Sequence, residues 1–293
     1  MKDEQLRDLN DKLIYVRNLI KRQNEIKNSI EEQGKMTPEL SLAIDKVEKL
    51  QELEDIYLPY KQKKRTRAMI AKEKGLEPLA QFILKQEDSS EKLEDIALKY
   101  LNDEVTSSDE ALAGASDIIA ETISDSADIR AKLRQHLWQT SSLSITRDKE
   151  ADSDEAFLMY EDYTEPIKHL PSHRILAINR GESKDILKVK LISDIDKDIA
   201  IITKFILKQN SPYKEFLTNA IIDAYKRLIF PALEREIRNQ LTETAQTQAI
   251  HVFASNLKQL LLQAPLAGYT VMGLDPGYRT GCKMAIVDAT GKF

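Results

Sequence analysis

The first apolar pattern of the chain is a stripe whose members are spaced alternately three and four residues apart, with charged and polar positions between them. It comprises Leu6, Leu9, Leu13, Val16 and Ile20. This spacing aligns five side chains along one side of an α-helix. A second stripe, from Leu40 to Leu53, follows a helix-start signal in which Thr37 is the expected N-cap. The two stripes predict an antiparallel helical hairpin packed within the chain, with a coiled coil to a partner as the alternative.

Short amphipathic segments continue the helical pattern up to residue 139. Helices are predicted for Arg67–Lys74, from Pro78 onwards, for Ser90–Leu101, after the capping box Ser107–Glu110, and for Ser126–Gln139. Helices this short and this closely spaced are typical of a compact array, as in helix-turn-helix modules. The polar composition from Thr140 to Asp154 predicts a linker or exposed excursion, and with it the first domain boundary.

The second half of the chain adds a strand and a long helix. A half-exposed strand is predicted near residues 185–193, where apolar and basic positions alternate: Leu187, Lys188, Val189, Lys190 and Leu191. A helix is predicted to start at Ser211-Pro212 and to run to Ala264, with a kink or division at Pro231. About fifty residues at a rise of 1.5 Å each would extend roughly 75 Å. We therefore expect this helix to be the central spine of an elongated, mainly α fold.

The last stretch, Thr270 to Phe293, reads as strand, turn and strand. The apolar runs Val271–Leu274 and Cys282–Val287 flank a turn that opens with Pro276-Gly277. Both runs are apolar at nearly every position, which is typical of strands buried on both faces of a sheet. Because a lone hairpin is marginally stable in water, we expect the chain to be a fragment that ends inside an α/β domain.

Composition narrows the classes of function. Of the 293 residues 42% are hydrophobic and 31% charged, while aromatic content is only 6%, which favours a mostly helical soluble protein. The single cysteine, Cys282, excludes an internal disulfide framework and a cysteine-based zinc site. The chain lacks a run of membrane-spanning length, so a cytoplasmic location without membrane contact is expected. A net charge of −5 confines nucleic-acid contact to a local basic patch.

One dense basic run provides that patch. It comprises Lys61, Lys63, Lys64, Arg65 and Arg67. Cations at this density neutralise several phosphates, and the preceding Tyr57 and Tyr60 are candidates for stacking on bases. The alternative is a solvated surface paired with the upstream acids Glu52, Glu54 and Asp55.

Asp275 is the candidate residue for metal chemistry. It follows a buried strand at a Pro-Gly turn, where a carboxylate can face a cleft and hold a divalent cation. The alternative is an aspartate that caps the turn through its own backbone. His169 and His173 are four residues apart, but the intervening Pro171 and the lack of a third ligand nearby argue against a zinc site. We expect no metal and no cofactor from these residues.

Four blocks together resemble the Tex family of bacterial transcription accessory proteins. They are the LPYK and RTRA segments around the basic run, PSHRILAINRGE, the long helix, and GLDPGYRTGCKMAIVDATGK. The last block is similar to the opening of the YqgF-type RNase H-like domain, in which Asp275 matches the first metal-ligating carboxylate. The resemblance implies a helical region over residues 1–140, a second over 155–265 with a short strand and the central helix, and a truncated RNase H-like domain over 270–293.

The resemblance also implies a function. It favours a non-catalytic scaffold in a protein associated with transcription and with RNA or DNA, rather than an enzyme. Further helices before Met1, and helix-hairpin-helix and S1 RNA-binding domains after the RNase H-like domain, are expected outside the chain, so nucleic-acid binding through the basic run alone should be weak. The alternative is the front part of a metal-dependent nuclease that uses Asp275.

Overall fold

A computed structural model describes residues 3–62, 64–87, 91–151, 156–264, 266–279 and 281–293. It confirms the mainly α fold: 64% of the described residues are helical. By its internal packing the chain divides into two compact units. The first unit comprises Met1–Leu170 and Ala177–Gln240, and the second comprises Pro171–Leu176 and Leu241–Phe293. The domain boundaries inferred from the sequence stay predictions.

The helices and strands follow one another along the chain in the following order. The N-terminal helices are α1 (Asp3–Glu32), α2 (Pro38–Lys46), α3 (Leu50–Tyr57), α4 (Arg67–Glu73), α5 (Glu77–Lys85), α6 (Leu93–Leu98), α7 (Ser108–Ser124) and α8 (Ala127–Thr140). The remaining elements are β1 (Ser142–Arg147), β2 (Tyr163–Pro166), α9 (Ser172–Glu182), β3 (Leu187–Ile192), α10 (Ile195–Ile206), α11 (Lys214–Asp223), α12 (Phe230–Leu261), β4 (Val271–Gly277) and β5 (Gly281–Val287).

The predicted N-terminal hairpin forms, but its second arm is two helices rather than one. Thr37 caps α2 as expected, since its hydroxyl accepts from the Leu40 N–H at 3.2 Å. The arm then breaks between α2 and α3, where the buried Gln23 amide donates to the carbonyls of Ile44 and Val47 at 2.8 and 3.2 Å. These carbonyls lie at the end of α2, so a tertiary hydrogen bond takes the place of helix continuation.

The expected burial of the α1 stripe is wrong for all five of its residues. The side chains of Leu6, Leu9, Leu13, Val16 and Ile20 are 38–58% exposed. Only the part of α1 from Leu19 onwards contributes to the core, together with Ile26, Ile30, Ile44 and Leu53. The reason is length: the 30 residues of α1 span about 45 Å, whereas the nine and eight residues of α2 and α3 span about 26 Å.

Close packing holds α4 against α7. Gly114 lies at this contact, and a Cβ at its position would come within 2.4 Å of the Leu76 Cδ1. The capping signal that starts α7 is confirmed, since the Ser107 hydroxyl accepts from the Glu110 N–H at 3.2 Å. The Glu110 carboxylate in turn accepts from the backbone of Thr106 at 3.2 Å. These local signals therefore place α7 as the sequence predicts.

A three-stranded antiparallel sheet completes the first unit, in the order β2-β1-β3. The predicted half-exposed strand near residues 185–193 is confirmed as β3. The prediction of a linker from Thr140 is wrong for residues 142–147, because they form β1, the central strand of this sheet. Residues 152–154 of the predicted linker lie outside the described residues. The prediction fails because β1 alternates over only a few positions. Leu143 and Ile145 face the core, while the residues between and beside them, Ser142, Ser144 and Thr146, are polar.

The long helix is confirmed as a continuous helical stretch of 48 residues from α11 to α12. Its predicted irregularity takes the form of a π-helical turn, Ala224–Ile229, directly before Pro231. The Phe230 N–H donates to the Tyr225 carbonyl, one residue further back than in an α-helix. This wider turn accommodates a proline that has no N–H of its own. Helix α10 was not predicted.

The second unit contains the C-terminal hairpin, which is confirmed. Strands β4 and β5 pair in an antiparallel register that sets Leu274 opposite Met284 and Asp275 opposite Lys283. Because side chains alternate along a strand, Met272, Leu274, Met284 and Ile286 share one face, while Asp275 and Lys283 share the other with Val271 and Val287. Both Leu274 and Met284 are exposed, at 57% and 65%.

Candidate nucleic-acid interface

The basic run lies on the loop between α3 and α4 and ends at Arg67, the first residue of α4. A single 3₁₀ turn, Leu58–Tyr60, ends the first of these helices, and Thr66 caps the second by accepting from the Met69 N–H at 3.1 Å. The four described members of the run are exposed: Lys61, Lys64, Arg65 and Arg67. The fifth, Lys63, lies outside the described residues. Fixed helix ends on both sides thus present these cations to solvent.

The ion pairs of the described residues leave most of this charge available. Arg65 pairs with Glu73 at 2.8 Å, but the two side chains are 70% and 55% exposed, so the pair is weak and easily exchanged. Lys61, Lys64 and Arg67 take part in none of the ion pairs described for the chain. Three cations next to a weakly held fourth form a local surplus of positive charge.

The upstream acids do not pair with these four cations. Glu52 pairs with Lys49, and Glu54 pairs with Arg22 at 2.6 Å. Asp55 turns inward, where it receives two arginines from α8. The alternative in which these three acids neutralise the basic run is therefore wrong for its described members. The closeness of these acids to the basic run in the sequence suggested the pairing. Apart from Lys49, however, their actual partners lie more than thirty residues from them along the chain.

A buried ionic cluster anchors the helix that leads into the loop. The Asp55 carboxylate accepts from Arg130 Nε at 3.1 Å and lies 2.7 Å from Arg134 Nη2. Arg134 also pairs with Glu236 on α12. Burial alone would lower the pKa of Arg134, but the hydrogen bond with Glu236 and the charge of Asp55 hold this pKa above its ordinary value. The cluster fixes α3 against α8 and α12.

The two tyrosines before the run have structural contacts. The Arg22 guanidinium lies 5.6 Å from the ring centre of Tyr57, and the Tyr57 hydroxyl is 3.0 Å from the Ser29 hydroxyl. Tyr60 is half-buried against the N-terminal core. Because one ring already faces a cation and the other packs on apolar side chains, stacking of bases on them is not supported.

A buried polar cluster on α10 escaped the sequence analysis together with the helix itself. Asp198 is fully buried and accepts from the Tyr225 hydroxyl at 2.5 Å and from the Ser193 hydroxyl at 2.7 Å. His136 Nε2 lies 3.5 Å from the other carboxylate oxygen. Burial, reinforced by the hydrogen bond to Asp198, raises the pKa of the Tyr225 phenol. The cluster cross-links α8, α10 and the π-helical turn inside the first unit.

Asp275 lies in the second unit, exposed on β4 and opposite Lys283. Directly opposed residues of an antiparallel pair have Cβ atoms about 5 Å apart. The register therefore places a lysine, not a second carboxylate, directly across from Asp275. Among the described residues we find no group of three or more histidine, cysteine or acidic side chains that could hold a metal ion.

Comparisons with known proteins agree with the four sequence blocks. Residues 88–253 match a family model described as Tex central region-like, and residues 269–293 match one described as Tex protein YqgF-like domain. Within the described part of the chain, the helices are all too short or too polar to cross a membrane.

Three curated relatives illustrate the similarity. "Uncharacterized protein YdcI" of Bacillus subtilis is 46% identical over 299 residues, covering 100% of this chain and 41% of that protein. "Transcriptional accessory protein Tex" of Neisseria gonorrhoeae is 40% identical over 306 residues, covering 99% and 39%. "S1 RNA-binding domain-containing protein 1" of Homo sapiens is 32% identical over 310 residues, covering 99% and 30%. The chain thus spans about two fifths of the length of the bacterial relatives.

Proposed function

The chain belongs to the Tex family, and on that premise we propose that it is a non-catalytic scaffold of a cytoplasmic transcription accessory protein that contacts nucleic acid through its basic loop. The main observation in support is the set of exposed cations Lys61, Lys64 and Arg67, which have no ion-pair partner among the described residues. In a chain with a net charge of −5, such a surplus is a local feature that attracts phosphates.

The anchoring of the loop supports a positioning role. The helix before it is fixed by the buried pairs of Asp55 with Arg130 and Arg134, and the helix after it starts at a capped residue. Cations held between two such helices keep their spacing when a ligand arrives, which reduces the entropy lost on binding.

The printed names of two relatives indicate the partners. One is called a transcriptional accessory protein, and the human protein is named for an S1 RNA-binding domain. We propose that this chain works with the transcription machinery, and that its own contribution to RNA or DNA binding is weak and electrostatic. Phosphate contacts of this kind position a protein without reading sequence.

The experiment compares two triple variants. Binding of a fluorescein-labelled single-stranded RNA of 20 nucleotides is followed by anisotropy between 25 and 200 mM salt for wild type and for Lys61→Ala/Lys64→Ala/Arg67→Ala. Each phosphate contact to a single strand contributes a slope of about 0.7, so the triple variant should lower the salt slope by up to about 2. The matched control is Lys132→Ala/Lys204→Ala/Lys226→Ala, which removes three exposed lysines from other helices. Equal slopes for wild type and the loop variant would reject the basic loop as the contact.

A second candidate function is favoured by the position of Asp275. The resemblance of this block to the YqgF-type domain implies that Asp275 corresponds to the first carboxylate of the RNase H-like fold, and the residue is exposed on β4. A nuclease that depends on two metal ions needs further carboxylates next to this one. Calorimetric titration with Mn²⁺, and incubation of the labelled RNA with Mn²⁺, test this candidate. Heat and cleavage that both disappear in Asp275→Asn would replace the scaffold proposal with an enzyme; we expect neither signal.

A further inference from the structure

The outer face of the three-stranded sheet carries hydroxyl and lysine side chains. We name it the hydroxyl-lysine face; its polar members are Ser142, Ser144 and Thr146 of β1, Thr164 of β2, and Lys188 and Lys190 of β3. Pro166 of β2 and Ile192 of β3 lie at one end of the same face, on either side of Ser142. The pairing register puts these residues in rows across the strands. Ser144 has Thr164 on one side and Lys190 on the other, and Thr146 lies beside Lys188. Neighbouring strands are about 4.8 Å apart, so the rows through Ser144 and Thr146 are short ladders of donors, whereas Ser142 lies between Pro166 and Ile192.

This face is open to solvent, whereas the opposite face is core. Leu143, Ile145, Leu187 and Leu191 are at most 3% exposed on the inner side. On the outer side Thr146, Thr164, Lys188 and Lys190 are exposed, and the two serines of the central strand are half-buried between their neighbours. A ligand could therefore reach all three strands at once.

The polar groups of the face have no described partner. None of the ion pairs given for the described residues includes Lys188 or Lys190, and no described hydrogen bond uses the side chains of Ser142, Ser144, Thr146 or Thr164. The outward positions of the three strands also contain no carboxylate, although the chain as a whole has 48 acidic residues. The nearest acid on the strands, Glu165, is placed by its register with Leu143 on the inner side.

A simpler role exists for the two lysines. Strand β3 is an edge strand, and lysine on an edge strand discourages pairing with another chain. That role explains Lys188 and Lys190 but not the three hydroxyl residues on the central strand, which has no free edge. It also does not explain why outward carboxylates are missing from the central strand β1 and from β2 as well as from β3.

We propose that the hydroxyl-lysine face binds the phosphodiester backbone of single-stranded RNA. Ammonium groups neutralise phosphates, and hydroxyls donate to phosphate oxygens and accept from the ribose 2′-hydroxyl. Because the outward positions carry no aromatic ring, bases are not stacked and binding does not depend on sequence. The proposal extends the proposed function, since it adds a second contact on the same unit as the basic loop.

The test uses the labelled 20-nucleotide RNA and the whole chain. Lys188→Gln/Lys190→Gln keeps a polar edge while removing both charges, and the matched control is Lys132→Gln/Lys204→Gln on exposed helical positions. Two lost contacts to a single strand should lower the salt slope by about 1.4. Ser144→Glu, which adds a carboxylate to the middle of the face, should weaken binding at 50 mM salt by about tenfold. Circular dichroism and size exclusion check that each variant stays folded and does not associate.

The outcomes separate this inference from the basic loop. A lower slope for the β3 variant with an unchanged slope for the loop variant supports the face and rejects the loop, and the reverse result rejects the face alone. An unchanged slope combined with self-association of the β3 variant supports mere edge protection and overturns the proposal. The proposal is also overturned if wild type does not bind the RNA at 25 mM salt, or if adenine and uridine 20-mers differ more than about fivefold in affinity.

Discussion

Removing Asp55 is the strongest test of how the basic loop is held. Its side chain is 5% exposed and lies against Arg130 and Arg134, which are 9% and 17% exposed. In Asp55→Ala the Arg130 guanidinium would lose its described carboxylate partner, and Arg134 would keep only Glu236. Breaking a buried pair in this way costs about 3–5 kcal/mol, because a charge is left uncompensated away from water. At about 2–4 °C per kcal/mol for a unit of this size, the melting temperature should fall by roughly 10 °C.

The assay is urea unfolding followed by the fluorescence of Trp138, the single tryptophan, which lies on α8 beside these arginines. Glu73→Ala is the control, because it breaks an exposed pair and should cost less than about 1 kcal/mol. Asp55→Leu/Arg130→Met should recover more than half of the loss, since it removes one of the uncompensated cations. Equal midpoints for Asp55→Ala and Glu73→Ala would refute the reasoning.

Three further predictions concern other contacts of the first unit. Gly114→Ala should lower the free energy of unfolding by about 1–3 kcal/mol, because the new methyl group would meet Leu76 at 2.4 Å, and urea unfolding with Ala113→Ser as control measures it. Glu110→Gln should lower the melting temperature at pH 7 but not in acid: the hydrogen bond from Lys74 lowers the pKa of Glu110, so its stabilisation exists above the ordinary carboxyl pKa and is lost as pH falls. Tyr225→Phe should lower the free energy of unfolding by about 1–3 kcal/mol at pH 7, because the buried Asp198 loses a hydrogen-bond donor. Since the pKa of the Tyr225 phenol is raised in the folded protein, wild type loses stability as the pH rises above about 10, and the difference between the two proteins should shrink there. Melting curves across pH measure this difference.

Local signals were sufficient where a few neighbouring residues decide the structure. The cap at Thr37, the capping box at Ser107 and the strand around Val189 are patterns of two to six residues, and each was placed correctly. The same holds for the C-terminal hairpin and for the interruption beside Pro231, because both depend on residues that restrict the backbone.

The errors arise where distant residues decide the structure. The division of the second helical arm depends on hydrogen bonds from Gln23, which is more than twenty positions away along the chain. Strand β1 has two inward apolar residues, too few for a clear period, and is specified by its two partner strands. Helix α10 is rich in isoleucine, whose branched side chain favours strands as much as helices.

The candidate site shows the same division between position and environment. The sequence locates the basic run, but how much of its positive charge stays unpaired depends on which acidic residues already have other partners. Glu54 and Asp55 lie within thirteen residues of every cation in the run, yet their geometry commits them to Arg22, Arg130 and Arg134.

Net charge is therefore a poor guide to what this chain attracts. A carboxylate locked in an internal pair is far less available to repel a phosphate than a free one, so the acids around Asp55 contribute little negative field at the loop. The same reasoning applies to the sheet, where Lys149 and Arg147 pair with Glu161 while Lys188 and Lys190 stay exposed. A chain with a negative net charge has positively charged surfaces when its acidic side chains pair with cations inside the fold. The lysines without such partners then determine where a polyanion binds.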